Sequence, residues 1–206
     1  VLSARSILLC LAAAAAVFAG CGGDGGQAAA VTETIVTVAS TEDPADCERL
    51  HTLRFMEQTY GLEGEAAVAA CEVRAVDPRS EAAESVTVTK IEIDGSEARA
   101  NAAFVGSDFD GQTLTIGLVE EDGGWKIDDL IRFVHFDRDR LLDAMVEEMT
   151  ELAEAAGDPA LPACILAWFE ARDDEELEAI VVEPDPAALL SVFEDCARRT
   201  GADQSA

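Results

Sequence analysis

Positive charge is scarce in this chain of 206 residues: 14 Lys and Arg stand against 42 Asp and Glu, for a formal net charge of −28. The field around such a protein repels phosphates and anionic headgroups, which argues against nucleic acid as a partner. Histidine occurs twice and tyrosine once, so acid–base chemistry has few carriers. The chain lacks a glycine-rich phosphate loop, a Gly-x-Ser-x-Gly elbow and a His-Glu-x-x-His helix, so nothing points to standard hydrolase, nucleotide or zinc-protease chemistry. The sequence implies neither a cofactor nor a metal site. The apolar run Ile7 to Ala19 is too short to cross about 30 Å of hydrocarbon. A hydrophobic content of 49% is nevertheless enough for a core, in one sizeable domain or two small ones. The acidic excess reads as a solvated surface, with cation binding or a basic partner as the alternative.

Arg5 followed by Ile7 to Ala19 has the form of a signal-peptide core, which sets residues 1–20 outside the fold. The run ends in Phe18-Ala19-Gly20-Cys21. It resembles the bacterial lipobox, in which the cysteine is lipidated and becomes the mature N-terminus, although Phe18 stands where that motif usually carries an aliphatic residue. The resemblance implies acylation of Cys21 and a place on the outer face of the cytoplasmic membrane; ordinary secretory cleavage is the alternative. Residues 21–43 then read as a flexible tether, glycine-rich at first, with Val31 to Val38 an extended spacer or a short strand.

From Asp43-Pro44 the pattern becomes helical, with Asp43 as N-cap and Pro44 in the first turn. Cys47, Leu50, Leu53, Met56 and Tyr60 recur every three or four residues, predicting one helix that Gly61 ends, and a second short helix covers Glu65 to Cys71. Three runs then alternate with period two: Val86 and Val88, Ala98 to Phe104, and Leu114 to Leu118. Asp94-Gly95, Asp110-Gly111 and Asp122-Gly123-Gly124 supply turns, and Trp125 to Phe133 follows as a fourth run. An antiparallel meander of four strands is predicted. Cys47 and Cys71 would lie on adjacent helices in an oxidising compartment, where a disulfide closing about 25 residues contributes roughly 3 kcal/mol. Their spacing is not that of a zinc site.

The helical N-terminal part, Gly111-Gln112 before an alternating strand, and the closing Gly124-Trp125-Lys126-Ile127-Asp128 together resemble the nuclear transport factor two-like, or cystatin-like cone, superfamily. The resemblance covers about residues 44–136 and is to the small lipoproteins of that class in high-GC Gram-positive (actinobacterial-type) bacteria. It implies an α+β domain whose N-terminal helices pack on a curved antiparallel sheet and enclose a conical cavity. Some members use that cavity as an isomerase or cyclase site, whereas in others it binds or merely assembles. Fold alone does not decide between these.

After Asp137 the period is 3.6. Leu141, Leu142, Met145, Val146, Met149, Leu152 and Ala153 form a stripe that Gly157 stops before Asp158-Pro159. A second helix carries Cys164, Ile165, Trp168 and Phe169; Asp173 with Glu176 reads as a capping box; Asp185-Pro186 opens a last helix that Gly201 ends, leaving 202–206 as a tail. Residues 137–201 are thus a small four-helix unit stapled by Cys164 and Cys196. Candidate chemistry is sparse. His51 reads as a packed histidine more than a base and His135 as an interdomain contact, so no catalytic residue is assigned; Tyr60, His51 and Asp128 are the weak candidates for an isomerase-like site. Asp108-Phe109-Asp110-Gly111 has the look of a calcium loop but lacks its remaining ligands, and reads as a hairpin turn. The expectation is a membrane-tethered, non-catalytic lipoprotein that binds a small apolar ligand or an envelope protein. A cone-cavity enzyme is the alternative.

Overall fold

The computed structural model describes residues 23–77, 82–146 and 160–203. Cys21, the signal segment 1–20, Pro78, the stripe positions Met149, Leu152 and Ala153, the stop at Gly157 and residues 204–206 lie outside them. Four helices precede the sheet: α1 (Gly23–Ser40), α2 (Asp46–Leu50), α3 (Leu53–Tyr60) and α4 (Glu65–Ala75). Strands β1 (Ser85–Asp94), β2 (Glu97–Val105), β3 (Thr113–Glu121) and β4 (Gly124–His135) follow. Helix α5 has residues 138–146 described, and α6 (Leu161–Glu170), α7 (Asp174–Val182) and α8 (Pro186–Asp203) close the chain.

The strands pair antiparallel in the order β1-β2-β3-β4, as their alternation predicts. Ala98, Ala100, Ala102 and Phe104 lie beside Leu118, Ile116, Leu114 and Val86, so one face of the sheet is apolar throughout. Register shifts bend it: one in β1 between Thr89 and Glu92, where Lys90 takes a φ of 51°, and three along the β3–β4 ladder. Each inserted residue sharpens the local twist.

The tether expected over residues 21–43 is a helix from Gly23 to Ser40. Val31 and Ile35 of α1, 0% and 1% exposed, are packed into the apolar face of the sheet with Leu114, Leu118, Trp125 and Ile127. Thr34 donates its hydroxyl to the Trp125 carbonyl at 3.2 Å, and Ala83 N–H donates to the Ala39 carbonyl at 2.8 Å. A segment rich in β-branched residues is helical because this burial outweighs its propensity.

The single helix predicted from Asp43 is two. Asp43 and Pro44 form a turn, with the Asp43 carboxylate accepting from Ala45 N–H, and α2 begins at Asp46. It stops at His51, which bridges Ile127 of β4. Thr52 N–H donates to the Ile127 carbonyl at 2.9 Å, and the Thr52 hydroxyl caps α3 by accepting from Phe55 N–H. The Cys47–Cys71 disulfide joins α2 to α4 with Cα atoms 6.0 Å apart, as expected.

In the C-terminal unit Ile165, Phe169, Leu177 and Cys196 are buried together, with Leu142, Met145 and Phe193 around them. The Cys164–Cys196 disulfide links α6 and α8. The Asp173–Glu176 capping box is present in both directions, and Asp185 accepts from Ala187 and Ala188 N–H ahead of Pro186. Helix α8 continues past Gly201 to Asp203.

The unit is docked on the sheet. Val181 and Val182 of α7 pack against the sheet core, and Phe136 is shared by both cores. Gln112, 1% exposed, exchanges two bonds of 2.8 Å with the backbone of Asp137 at the start of α5. His135 is exposed at the end of β4 and is not the interdomain contact expected of it.

Candidate functional site

The break between α2 and α3 places His51 in a cleft between α1, α2 and α4. Tyr60, Asp46, Thr41, Arg74 and the Cys47–Cys71 disulfide line the same cleft, whose volume is about 170 Å³. The His51 ring stacks on Phe55 with centroids 5.4 Å apart and an interplanar angle of 8°. Its Nδ1 lies 3.3 Å from the Cys47 carbonyl. Burial pushes the His51 pKa down, against the Cys47 carbonyl and the Asp46 charge, so the ring is neutral at neutral pH.

Asp46 is 7% exposed and fully engaged. The Thr41 hydroxyl donates to one oxygen at 2.5 Å, and Arg49 donates to the other at 2.6 and 2.8 Å. Burial opposes its charge, but these donors outweigh burial and hold the carboxyl below its ordinary pKa. Burial raises the Tyr60 pKa, partly offset by Arg74. The cleft therefore contains a neutral imidazole, an un-ionised phenol and a carboxylate already committed to two donors, with Glu42 and Asp43 also in its lining.

Asp128, proposed from sequence as the partner of Tyr60, is not in this cleft. Arg54 forks onto it, donating to Oδ2 at 2.5 Å, Oδ1 at 3.1 Å and the Asp128 carbonyl at 2.6 Å, while the Thr52 hydroxyl donates to Oδ1 at 2.8 Å. Burial opposes the Asp128 charge, and Arg54 and Thr52 overcome it, leaving its pKa lowered. This carboxylate fastens the start of α3 to β4. Its neighbour Asp129 has a raised pKa, first through burial and further through the charges of Asp128 and Glu183, with Arg54 opposing.

The structure thus brings Tyr60 and His51 into one cleft, whose lining does not include Asp128. Asp46 and Arg74 joined them without a sequence signal: one acid among 42 Asp and Glu has nothing to mark it. The turn reading of Asp108 to Gly111 holds, since Asp110 accepts from Gly106 N–H at 2.7 Å and pairs with Arg140. Among the described residues, no group of three or more His, Cys, Asp and Glu is placed to hold a metal ion. Two larger grooves are open to solvent, one beside the Cys164–Cys196 disulfide and one between α2 and the β3–β4 turn.

No protein-family model matches the chain, and no curated protein matches it in sequence. Among solved structures, it is similar to an NTF-2-like protein of unknown function from Silicibacter pomeroyi. That likeness covers 50% of this chain and 91% of the other at 19% identity and a TM-score of 0.33. A score so low transfers neither fold nor function to this chain. The α+β architecture rests on the chain's own sheet and helices.

Proposed function

We propose that the protein is an extracytoplasmic lipoprotein, acylated at Cys21, whose nuclear transport factor two-like body is a binding module for a protein partner rather than a cavity enzyme. One observation carries the choice between partner and cavity: Val31 and Ile35 of α1 occupy the apolar sheet face that an open cone would offer to a ligand. The cleft that holds His51 and Tyr60, about 170 Å³, is below the roughly 300 Å³ of ordinary small-molecule pockets. The two larger grooves, about 470 and 430 Å³, lie on α6 and α8 and at the β3–β4 turn rather than on the apolar sheet face. The two disulfides fit an oxidising compartment. Among the described residues no helix is long and apolar enough to cross a membrane.

Two measurements test this reading. Cys21→Ala is expected to move the protein from the membrane fraction to the soluble fraction of cells; unchanged retention would refute the anchor. Titration of the wild type with Nile red is expected to show no saturable site. Stoichiometric, saturable binding would return the cone to use as a ligand site.

A further inference from the structure

Helix α4 is apolar on two opposite sides. At 100° per residue, Ala67 and Cys71 share the side buried against α2 and α3, whereas Ala66, Ala69, Val73 and the C-cap Val76 fall on the other. Val73 is 68% exposed and Val76 58%, and both alanines are exposed. Leu62, in the turn before the helix, is exposed as well. A helix with apolar residues round most of its circumference belongs between two layers. Among the described residues α4 has one.

We propose that the outer side of α4 docks an amphipathic helix of a partner protein, whose apolar stripe is flanked by Arg or Lys. Charge selects this occupant. Exposed Glu65 and Glu72 border one edge of the stripe, while Arg74 on the other edge is held by Asp108 at 2.8 Å. A second copy would bring its own Glu65 and Glu72 and a further net charge of −28 to the contact. Residues 147–159 of the chain carry five acids and no cation, which sets them against the same edge. A cationic helix meets none of this repulsion. Ala66 and Ala69 let its backbone approach closely, and Val73 and Val76 give it side chains to pack on. The Cys47–Cys71 bond pins the inner side of α4, so the surface is organised before the partner arrives.

This inference rests on the partner-binding reading above, but its test contains neither membrane nor cone ligand and so succeeds or fails separately. Three labelled helical peptides of about 15 residues are titrated into the full chain and followed by fluorescence anisotropy. The first has a Leu stripe flanked by Arg, the second the same stripe flanked by Glu, and the third the Arg content with a scrambled stripe. The first is expected to bind at least about tenfold more tightly than either other. Val73→Asn with Val76→Asn, both at exposed positions, should remove that advantage, and Glu65→Gln with Glu72→Gln should weaken the first peptide alone. Equal binding of the scrambled peptide, or no change in the Asn variant, would mean that only the overall field is felt and would overturn the proposal. So would a dimer in sedimentation that the Asn variant abolishes, which would assign the surface to a second copy.

Discussion

Truncating Ile35 to Ala tests whether α1 belongs to the core. The side chain is 1% exposed and sits in the cluster formed with Leu114, Leu118, Trp125 and Ile127. Removing three carbons forfeits about 2.4 kcal/mol of transfer free energy at about 0.8 kcal/mol per carbon. The cavity left between helix and sheet raises the loss to about 3–4 kcal/mol, within the range for such truncations. For a chain of this size each kcal/mol lowers Tm by about 2–4 °C, so a fall of roughly 6–16 °C is expected. Val36, the next residue along α1, is 38% exposed, and Val36→Ala should cost less than about 1 kcal/mol. Both variants are compared with wild type by urea denaturation and by scanning calorimetry, with the disulfides intact. Equal losses for Ile35→Ala and Val36→Ala, or a negligible loss for both, would refute the packing of α1 on the sheet and the filled cone with it.

Gly61 ends α3 with φ +64°, and a Cβ built there would stand 2.5 Å from Pro186 Cβ, so Gly61→Ala should both strain the cap and push α8 away. The left-handed conformation alone costs about 1–2 kcal/mol, and a loss below that in urea denaturation would contradict the contact. Asp129 has a folded pKa above its ordinary value of 3.8, so its carboxylate destabilises the fold once pH rises through that folded pKa and is neutral in both states below 3.8. Asp129→Asn should therefore raise Tm at pH 7 and give no gain near pH 3; a gain of the same size at both pH values would contradict the assignment.

The strands were legible because apolar residues alternate with Arg99 and Asn101 along β2 and with Thr115 and Gly117 along β3, and glycine marks each turn, even though both faces of β3 are buried from Leu114 to Leu118. The capping box at Asp173 and the Asp185-Pro186 start were legible for the same local reason: the residues that make the bonds lie within three positions of each other. Helix α1 was not. Val31, Ile35 and Val38 do have helical spacing, but the intervening Thr32, Thr34, Val36 and Thr37 are β-branched and imitate a strand. The break at His51 was equally hidden, because it is made by β4 through the bond from Thr52 N–H to the Ile127 carbonyl. In the cleft, Tyr60 and His51 were found because their residue types are rare. Asp128 was misassigned because its role depends on where Arg54 lands, and no spacing along the chain encodes that.

The packing of α1 limits how far an anchored body would reach. Val31 is the first side chain held in the sheet core, so with Cys21 acylated, as proposed, the ten residue steps from anchor to core span at most about 36 Å fully extended. That is several times the Debye length of about 8 Å at physiological salt, so the surface charge of the membrane would be screened over most of the leash. Under the proposed anchoring, the partners open to the body would be those at the membrane surface or within that reach.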